Sequence, residues 1–469
     1  MSIQDDLNQQ LAALKAAQAS NPNPEAAERR DRLQRLEHAL QAWEDRLVAA
    51  MSDDFGYRVP LESRFADIIV PIASIRHARR RLARWMRPRR VPTPLHLLPA
   101  RASVHPVPKG VIGIISPWNF PCLLTLAPLI DALAAGNRVF IKPSELTDRT
   151  SGVMADMLAE AFRPDEVAVV QGGADVSALF SGLPFDHLVF TGSTATGRKV
   201  ARAAAENLVP VTLELGGKSP LIFGQHGDVN RLIDQVIFGK FLNAGQACVA
   251  PDYMLVPEAM MGPVVDALKA AMTNAFADWS TSASLTAVAG ASNHDRLNRL
   301  VDDVRNRAAD VWRPSEGERQ NGRFAPTLIL RPPLDADVMT EEIFGPVLPI
   351  IPYTDLPDAE RIVARNSHPL AMYLFTNSRR ESDHWIARVP AGAVAVNDCL
   401  VQLVTDTIPF GGVGTSGFGA YHGRWGFDAF SHLKAVLRQS RWNTIKRLTP
   451  PYGLQAQILA KTFRRIVQR

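Results

Sequence analysis

The sequence predicts an α/β protein built on a doubly wound parallel sheet, and three observations carry that prediction. Short apolar runs at 111–115, 138–141, 167–170 and 187–190 lack the polar alternation of half-exposed strands and fit strands buried on both faces. Segments of helical character separate them, which is the pattern of a sheet covered on both sides. At 469 residues, 46% of them hydrophobic, the chain can also bury a large core divided over two or three domains.

Residues 1–88 read as mainly helical, because Leu33, Leu36, Leu40, Trp43 and Leu47 recur at three- and four-residue steps along one face. Asn21-Pro22-Asn23-Pro24 breaks this helix from an N-terminal one. Pro88, Pro92, Pro94, Pro99, Pro106 and Pro108 then favour extended arms over helix. The run 111–115 ends at Ser116-Pro117, a helix spans 123–135, and Gly136-Asn137 turns the chain into 138–141. A second α/β region is expected from about Val211, with strands at 211–215, 221–223, 253–256, 328–330, 348–351 and 394–396. Pro332-Pro333 and 409–419 mark loops. In the tail, Leu454, Ile458, Leu459, Phe463 and Ile466 form a helical stripe beside Lys461, Arg464, Arg465 and Arg469. Such a stripe suits docking on the protein or a solvated end, and it would also suit weak contact with a membrane surface.

Several classes of function are disfavoured. No stretch has the length of uninterrupted apolar sequence a transmembrane helix needs, and MSIQDDLNQQ lacks the pattern of a secretory signal. The three cysteines (Cys122, Cys248 and Cys399) are too few for a disulfide framework and show no zinc spacing. A reducing cytoplasm is therefore expected, where a thiol stays free. The formal net charge is +5, but the densest basic run, from Arg79 to Arg90, is interleaved with Leu82, Ala83, Trp85 and Met86. That is a helix with a solvated face, and no nucleic-acid partner is expected.

Six short stations hold residues able to do chemistry. Cys248 follows Asn243-Ala244-Gly245-Gln246-Ala247, where Gly245 permits a tight turn ahead of the thiol; alone, it would read as a buried small hydrophobe. Glu214, flanked by Leu213 and Leu215, is a carboxylate whose burial would raise its pKa towards that of a general base, unless it pairs with Lys218. Asn119, between Pro117-Trp118 and Phe120-Pro121, is a turn residue whose amide could also donate to an oxyanion. Thr191, Gly192 and Ser193 open a helix after a strand, where backbone N–H groups can face a pyrophosphate, although the spacing is not G-x-G-x-x-G. Lys142 and Glu145 lie at the carboxyl edge of the same sheet, where α/β proteins bind ligands. Glu341-Glu342-Ile343-Phe344-Gly345-Pro346 places two acids before a turn.

In this order, over about residues 50–440, the stations resemble the aldehyde dehydrogenase superfamily. Glu214 precedes Cys248 by 34 residues, which fits the family. The short N-terminus, Ala250-Pro251-Asp252-Tyr253, and the run from Pro409 to Gly417 with Gly419-Ala420-Tyr421-His422-Gly423 after it resemble the class 3 branch, most of all its bacterial coniferyl aldehyde dehydrogenases. The resemblance implies an NAD(P)-binding domain (1–90 and 109–212), a catalytic domain (213–431), a dimerising β-arm (91–108 and 432–441) and a C-terminal tail (442–469). It also implies roles. Cys248 would be the nucleophile, Asn119 and the Cys248 N–H the oxyanion donors, and Glu214 the activator of the deacylating water. Lys142 and Glu145 would hold the adenosine ribose, while Thr191, Gly192 and Ser193 would lie along the pyrophosphate. Glu342 would hold the nicotinamide ribose and Phe344 would pack near the ring. No metal is needed, since thiolate attack on an aldehyde already yields an alkoxide that expels hydride readily.

The resemblance further implies a homodimer and an aldehyde substrate, either aromatic, with coniferaldehyde the first choice, or medium-to-long aliphatic. NAD is favoured because Glu145 would accept a ribose hydroxyl and repel a 2′-phosphate; NADP stays open. Ala247 stands where many relatives carry threonine, and the charged tail departs from the hydrophobic anchor of some vertebrate members. Two rivals are an acylating dehydrogenase that releases its acyl group to CoA or phosphate, against which Glu214 argues, and a non-enzymatic protein on the same fold.

Overall fold

A computed structural model of the chain describes residues 2–317, 321–443 and 448–468. The chain opens with helices Ile3–Ser20, Ala26–Ala42, Glu44–Phe55 and Val70–Trp85. Leu33, Leu36, Leu40, Trp43 and Leu47 are all buried, as their spacing predicts, but the helix breaks at Trp43, whose backbone leaves the helical range at φ −100° and ψ 3°. Strands β1 (Arg89–Val91) and β2 (Arg101–Pro108) then project as an antiparallel arm.

Five strands make the first sheet: β3 (Val111–Ile115), β4 (Arg138–Lys142), β5 (Val167–Val169), β6 (His187–Gly192) and β7 (Val211–Leu215), parallel in the order β7-β6-β3-β4-β5. The second sheet holds β8 (Pro220–Phe223), β9 (Tyr253–Pro257), β10 (Asp310–Trp312), β11 (Thr327–Leu330), β12 (Val347–Tyr353), β13 (Ala371–Phe375) and β14 (Ala393–Val396), ordered β10-β11-β12-β9-β8-β13-β14. Only β10 runs antiparallel in it. The chain then returns: β15 (Gly417–Phe418) lies antiparallel on β7, and β16 (Ser431–Arg438) pairs with β2 along its whole length.

Several elements differ from the sequence expectation: the short strands β10 and β15 were not expected, and two longer strands differ in a way that has a physical reason. The run at 211–215 opens the second region in the sequence but closes the first sheet in space, pairing with β6 from Leu188 opposite Val211 to Gly192 opposite Leu215. A buried parallel strand has apolar residues on both faces, so nothing in its composition says which sheet it joins. The fully buried strand β13 was not expected, because Ala-Met-Tyr-Leu-Phe has neither the alternation nor the β-branched residues that separate a strand from a short helix. In the tail, helix Leu454–Val467 forms where the stripe predicts one, with Leu454 and Ile458 exposed and Ala456 buried; residues 444–447 and Arg469 lie outside the described residues. Among the described residues no helix is long and apolar enough to cross a membrane.

One continuous cluster of buried side chains runs from Leu33 through both sheets to Phe430, so the two α/β units share a core. Asp67 ties the N-terminal helices to the first unit. It is fully buried, accepts from the Arg58 guanidinium at 2.8 Å, and accepts the backbone N–H groups of Cys122 and Leu123 at 3.0 and 2.9 Å. It thereby caps helix Leu123–Ala135, the helix that follows the β3 loop. Removing one partner of a buried ion pair strands the other. Asp67→Ala is therefore expected to lower stability by about 3–5 kcal/mol in denaturant titration; a change within ±0.5 kcal/mol, typical of surface sites, would show that Asp67 is not part of the core.

Candidate active site

The strand order reverses between β3 and β6, and open α/β sheets bind ligands at the carboxyl ends of strands beside such a reversal. A cavity of about 1070 Å³ opens there. All ten residues singled out in the sequence line it: Asn119, Lys142, Glu145, Thr191, Gly192, Ser193, Glu214, Cys248, Glu342 and Phe344.

Cys248 reaches the cavity through a strained turn. After helix Val229–Phe241, three successive residues, Asn243, Ala244 and Gly245, take left-handed backbone angles (φ 52°, 53° and 72°). For the two non-glycine residues this costs roughly 1–2 kcal/mol each. Side-chain hydrogen bonds hold the turn in place. The Asn243 amide donates to Asn119 O at 2.9 Å, and its backbone N–H donates to Glu62 Oε2 at 3.0 Å. Gln246 Nε2 donates to Asn243 O at 2.9 Å and Ala287 O at 3.0 Å, while its Oε1 accepts Ala289 N at 2.9 Å. Gly245 cannot carry a side chain, since a Cβ would lie 2.4 Å from Gly345 O and 2.8 Å from Lys240 O.

Asn119 is buried at the end of the β3 loop, and its Nδ2 donates to Gln246 O at 3.0 Å. That bond uses one amide hydrogen and fixes the plane of the group, and the second hydrogen is the one an oxyanion could take. Glu214 lies on β7 with Thr191 of β6 on one side and Gly417 of β15 on the other. It is 2% exposed, neither carboxylate oxygen has a hydrogen-bond partner, and burial pushes its pKa well above the usual carboxylate range. The alternative partner, Lys218, is engaged elsewhere: its Nζ pairs with Asp252 and donates to the carbonyls of Val338 and Glu341 at 2.9 and 2.8 Å.

The thiol senses the carboxylates. Burial, followed by the charges of Glu342 and Glu214, pushes the Cys248 thiol up to about 12. Burial and the Asp252 charge raise Glu342 to about 8, although it accepts the Gly217 N–H. Cys122 and Cys399 are enclosed in the core, their thiols also raised by burial, which leaves Cys248 as the thiol on the cavity.

Toward the other end, Lys142 is 1% exposed and donates to Pro143 O at 2.9 Å and Glu145 Oε2 at 3.1 Å. Ser193 caps helix Thr194–Ala205 by accepting Thr196 N at 3.3 Å, so the start of that helix faces the cavity. Arg296, which the sequence did not single out, supports the segment carrying Glu342 and Phe344 by donating to their carbonyls at 3.0 and 3.5 Å. No local motif marks it within its ordinary helix. The Trp118 ring meets Phe344 edge-on at 5.4 Å. Carboxylates for ribose hydroxyls, a helix start for phosphates and an aromatic wall near the thiol together fit a nicotinamide dinucleotide.

A thiol, an amide donor and an unpartnered carboxylate on one nucleotide-sized cleft of a doubly wound sheet fit the class of α/β nucleotide-dependent oxidoreductases. The comparisons make this specific. The sequence profile of the aldehyde dehydrogenase family matches residues 2–436, and the chain belongs to that family. A probable coniferyl aldehyde dehydrogenase of Caulobacter vibrioides is 43% identical, across 95% of this chain and 94% of its own. The substrate-bound state of Staphylococcus aureus AldH superposes with a TM-score of 0.91 at 34% identity, covering 97% of this chain and 99% of that one. An aldehyde dehydrogenase of Bacillus cereus, solved as its NAD+ complex, matches with a TM-score of 0.84 at 25% identity over 93% of this chain and 89% of that one. The protein is thus an oxidoreductase that converts aldehydes to carboxylic acids with a nicotinamide cofactor, as the resemblance implied.

With the Cys248 pKa at about 12, the cofactor-free protein holds a neutral thiol at pH 7. Alkylation of Cys248 by iodoacetamide is expected to be slow at pH 7 and to climb about tenfold per pH unit up to pH 10, because only the thiolate reacts. A rate already at its plateau at pH 7 would contradict this.

Proposed function

We propose that aldehyde oxidation proceeds through a thioester on Cys248, with Asn119 and the Cys248 backbone N–H holding the oxyanion and Glu214 activating the water that releases the acid. The observation that carries this reading is the shared cavity of the three groups, in which both Glu214 oxygens stand unpartnered. The sulfur, once deprotonated, adds to the carbonyl carbon, and the alkoxide oxygen takes hydrogen bonds from the two N–H donors. When bound, the oxidised nicotinamide supplies the acceptor for the hydride that leaves this carbon. Glu214 then takes a proton from water as the water oxygen adds to the thioester carbon; the C–S bond breaks, giving acid and free cysteine.

Lys142 and Glu145 would contact the adenosine ribose, Thr191, Gly192 and Ser193 the pyrophosphate, Glu342 the nicotinamide ribose, and Phe344 the ring. NAD is favoured over NADP. Glu145 repels a 2′-phosphate, and the Lys142 ammonium is already committed to Glu145 and Pro143 O. Trp118 and Phe344 give the cavity aromatic walls, which supports an aromatic aldehyde, with coniferaldehyde first and medium or long aliphatic aldehydes second. The acylating alternative is disfavoured by a buried carboxylate beside the sulfur, where release to CoA or phosphate needs none. The three unpaired cysteines support a cytoplasmic setting. A homodimer is supported by two edge strands, β16 and β14, that expose Leu433, Leu437 and Val396.

Cys248→Ala is expected to abolish turnover while NAD binding stays measurable by calorimetry; residual full turnover would refute the nucleophile. Asn119→Ala should lower kcat/KM about 100- to 1000-fold, the usual effect of losing one oxyanion donor. Glu214→Gln should keep a rapid first turnover of NADH but slow the steady state, and an unchanged steady-state rate would remove Glu214 from the mechanism.

A further inference from the structure

The glycine-rich run at 411–419, which the proposed chemistry leaves without a role, packs directly on the strand that carries Glu214. Gly417 (φ 125°) lies opposite Glu214, and a Cβ there would sit 1.9 Å from Leu213 O. A Cβ on Gly411 would sit 2.1 Å from Gly419 O, and one on Gly412 2.0 Å from Ser416 O. Glycine at these positions lets the loop fold flat on itself against β7. The chain leaving the loop is fixed by reciprocal backbone bonds between Phe410 and Tyr421 (3.1 and 2.9 Å) and by the His422 N–H, which donates to the buried Asp131 carboxylate at 3.0 Å.

The residue delivered by this packing is Tyr421, which is fully buried. Its hydroxyl leans on the Thr191 side chain without completing a hydrogen bond, and it feels the charges of Glu214 and Cys248. Thr191 is the register partner of Glu214 across β6 and β7, so the two side chains stand on one face of the sheet. Three buried polar atoms, the Tyr421 hydroxyl and both Glu214 oxygens, thus lie around Thr191 with no protein partner. Leaving such groups unsatisfied is costly, and native proteins commonly meet the cost with an enclosed water.

We propose that Tyr421 is a positioning residue for Glu214: its phenol O–H, acting through one enclosed water beside Thr191, donates toward the carboxylate and keeps it ionised and aimed at the thioester. This rests on the assignment of Glu214 as the deacylating base. Burial by itself favours the neutral form of Glu214, which cannot accept a proton from water, whereas O–H donation favours the charged form. Tyr421 transfers no proton; burial holds its phenol protonated, so it stays a donor throughout. The other titratable groups of this cluster are the Cys248 thiol, on which both Glu214 and Glu342 act, and Asp131, whose charge acts on Tyr421; neighbouring Thr191 and Gly417 carry no charge.

The test is Tyr421→Phe, which deletes one oxygen, compared with wild type and Glu214→Gln by stopped-flow NADH formation, thermal melting and the pH profile of kcat. The expected result is an unchanged melting temperature and first-turnover amplitude, a kcat lowered roughly tenfold at pH 7, and an acid limb of kcat moved up by about one pH unit. In Glu214→Gln that limb should vanish. A Tyr421→Phe enzyme with the wild-type kcat and limb overturns the proposal. So does one whose first turnover is lost in the same proportion as kcat, since that places the hydroxyl in acylation or folding. If Glu214→Gln retains the wild-type limb, the base assignment has failed, and that failure is distinguishable from the failure of Tyr421.

Discussion

The left-handed turn at Asn243, Ala244 and Gly245 is the constraint on which the site depends. A turn of this shape does not hold itself; it persists because the Asn243 and Gln246 amides tie it to the β3 loop and to the backbone at Ala287 and Ala289. Through the same bonds, Asn119 from the end of the first sheet is fixed against the loop that delivers Cys248 from the second unit. Asn119 and Cys248, the proposed oxyanion donor and nucleophile, are therefore set by one network and cannot drift independently. The strain is stored where a reacting carbon would have to sit.

Charge is distributed on a second, complementary principle. Carboxylates that hold the scaffold are paired: Asp67 with Arg58, and Asp252 with Lys218. Those on the cavity are differently placed. Glu214 has no partner, and Glu342 is raised by burial and by Asp252. Burial in the cleft raises Glu214, burial and Asp252 raise Glu342, and both carboxylates add to the burial that raises Cys248, so each group's neutral form is favoured by its surroundings. Chemistry then requires the bound reactants and enclosed donors to shift these equilibria, which ties reactivity to occupancy of the cleft.

Much of this was legible in the chain. The residues of the six stations, weak individually, converge on one cavity: four stations lie at the carboxyl ends of β3, β4, β6 and β7, and Cys248 and Glu342 lie on loops that precede β9 and β12. The first four strands of the parallel sheet were readable as bare apolar runs. What was not legible needed three dimensions. The strand at 211–215 joined the other sheet, and Ala371–Phe375 lacked a signal of type. Gly245 was readable as a turn residue, but the left-handed Asn243 and Ala244 were not, since neither residue type requires that geometry. The competing partner for Glu214 could be dismissed only once Lys218 was seen to pair with Asp252. Arg296 and Tyr421 lie about 50 and 170 residues beyond Cys248, and they matter through contacts that no local pattern encodes.

In the proposed reaction, sulfur, amide and carboxylate surround a single carbon. The most direct test of this arrangement is acid-quench mass spectrometry of Glu214→Gln, mixed with NAD and an aromatic aldehyde for a fraction of a second. One acyl group, of the mass of the acid less water, is expected on the peptide containing Cys248, and none on those containing Cys122 or Cys399. An unmodified Cys248 peptide accompanied by a full first turnover of NADH would contradict it.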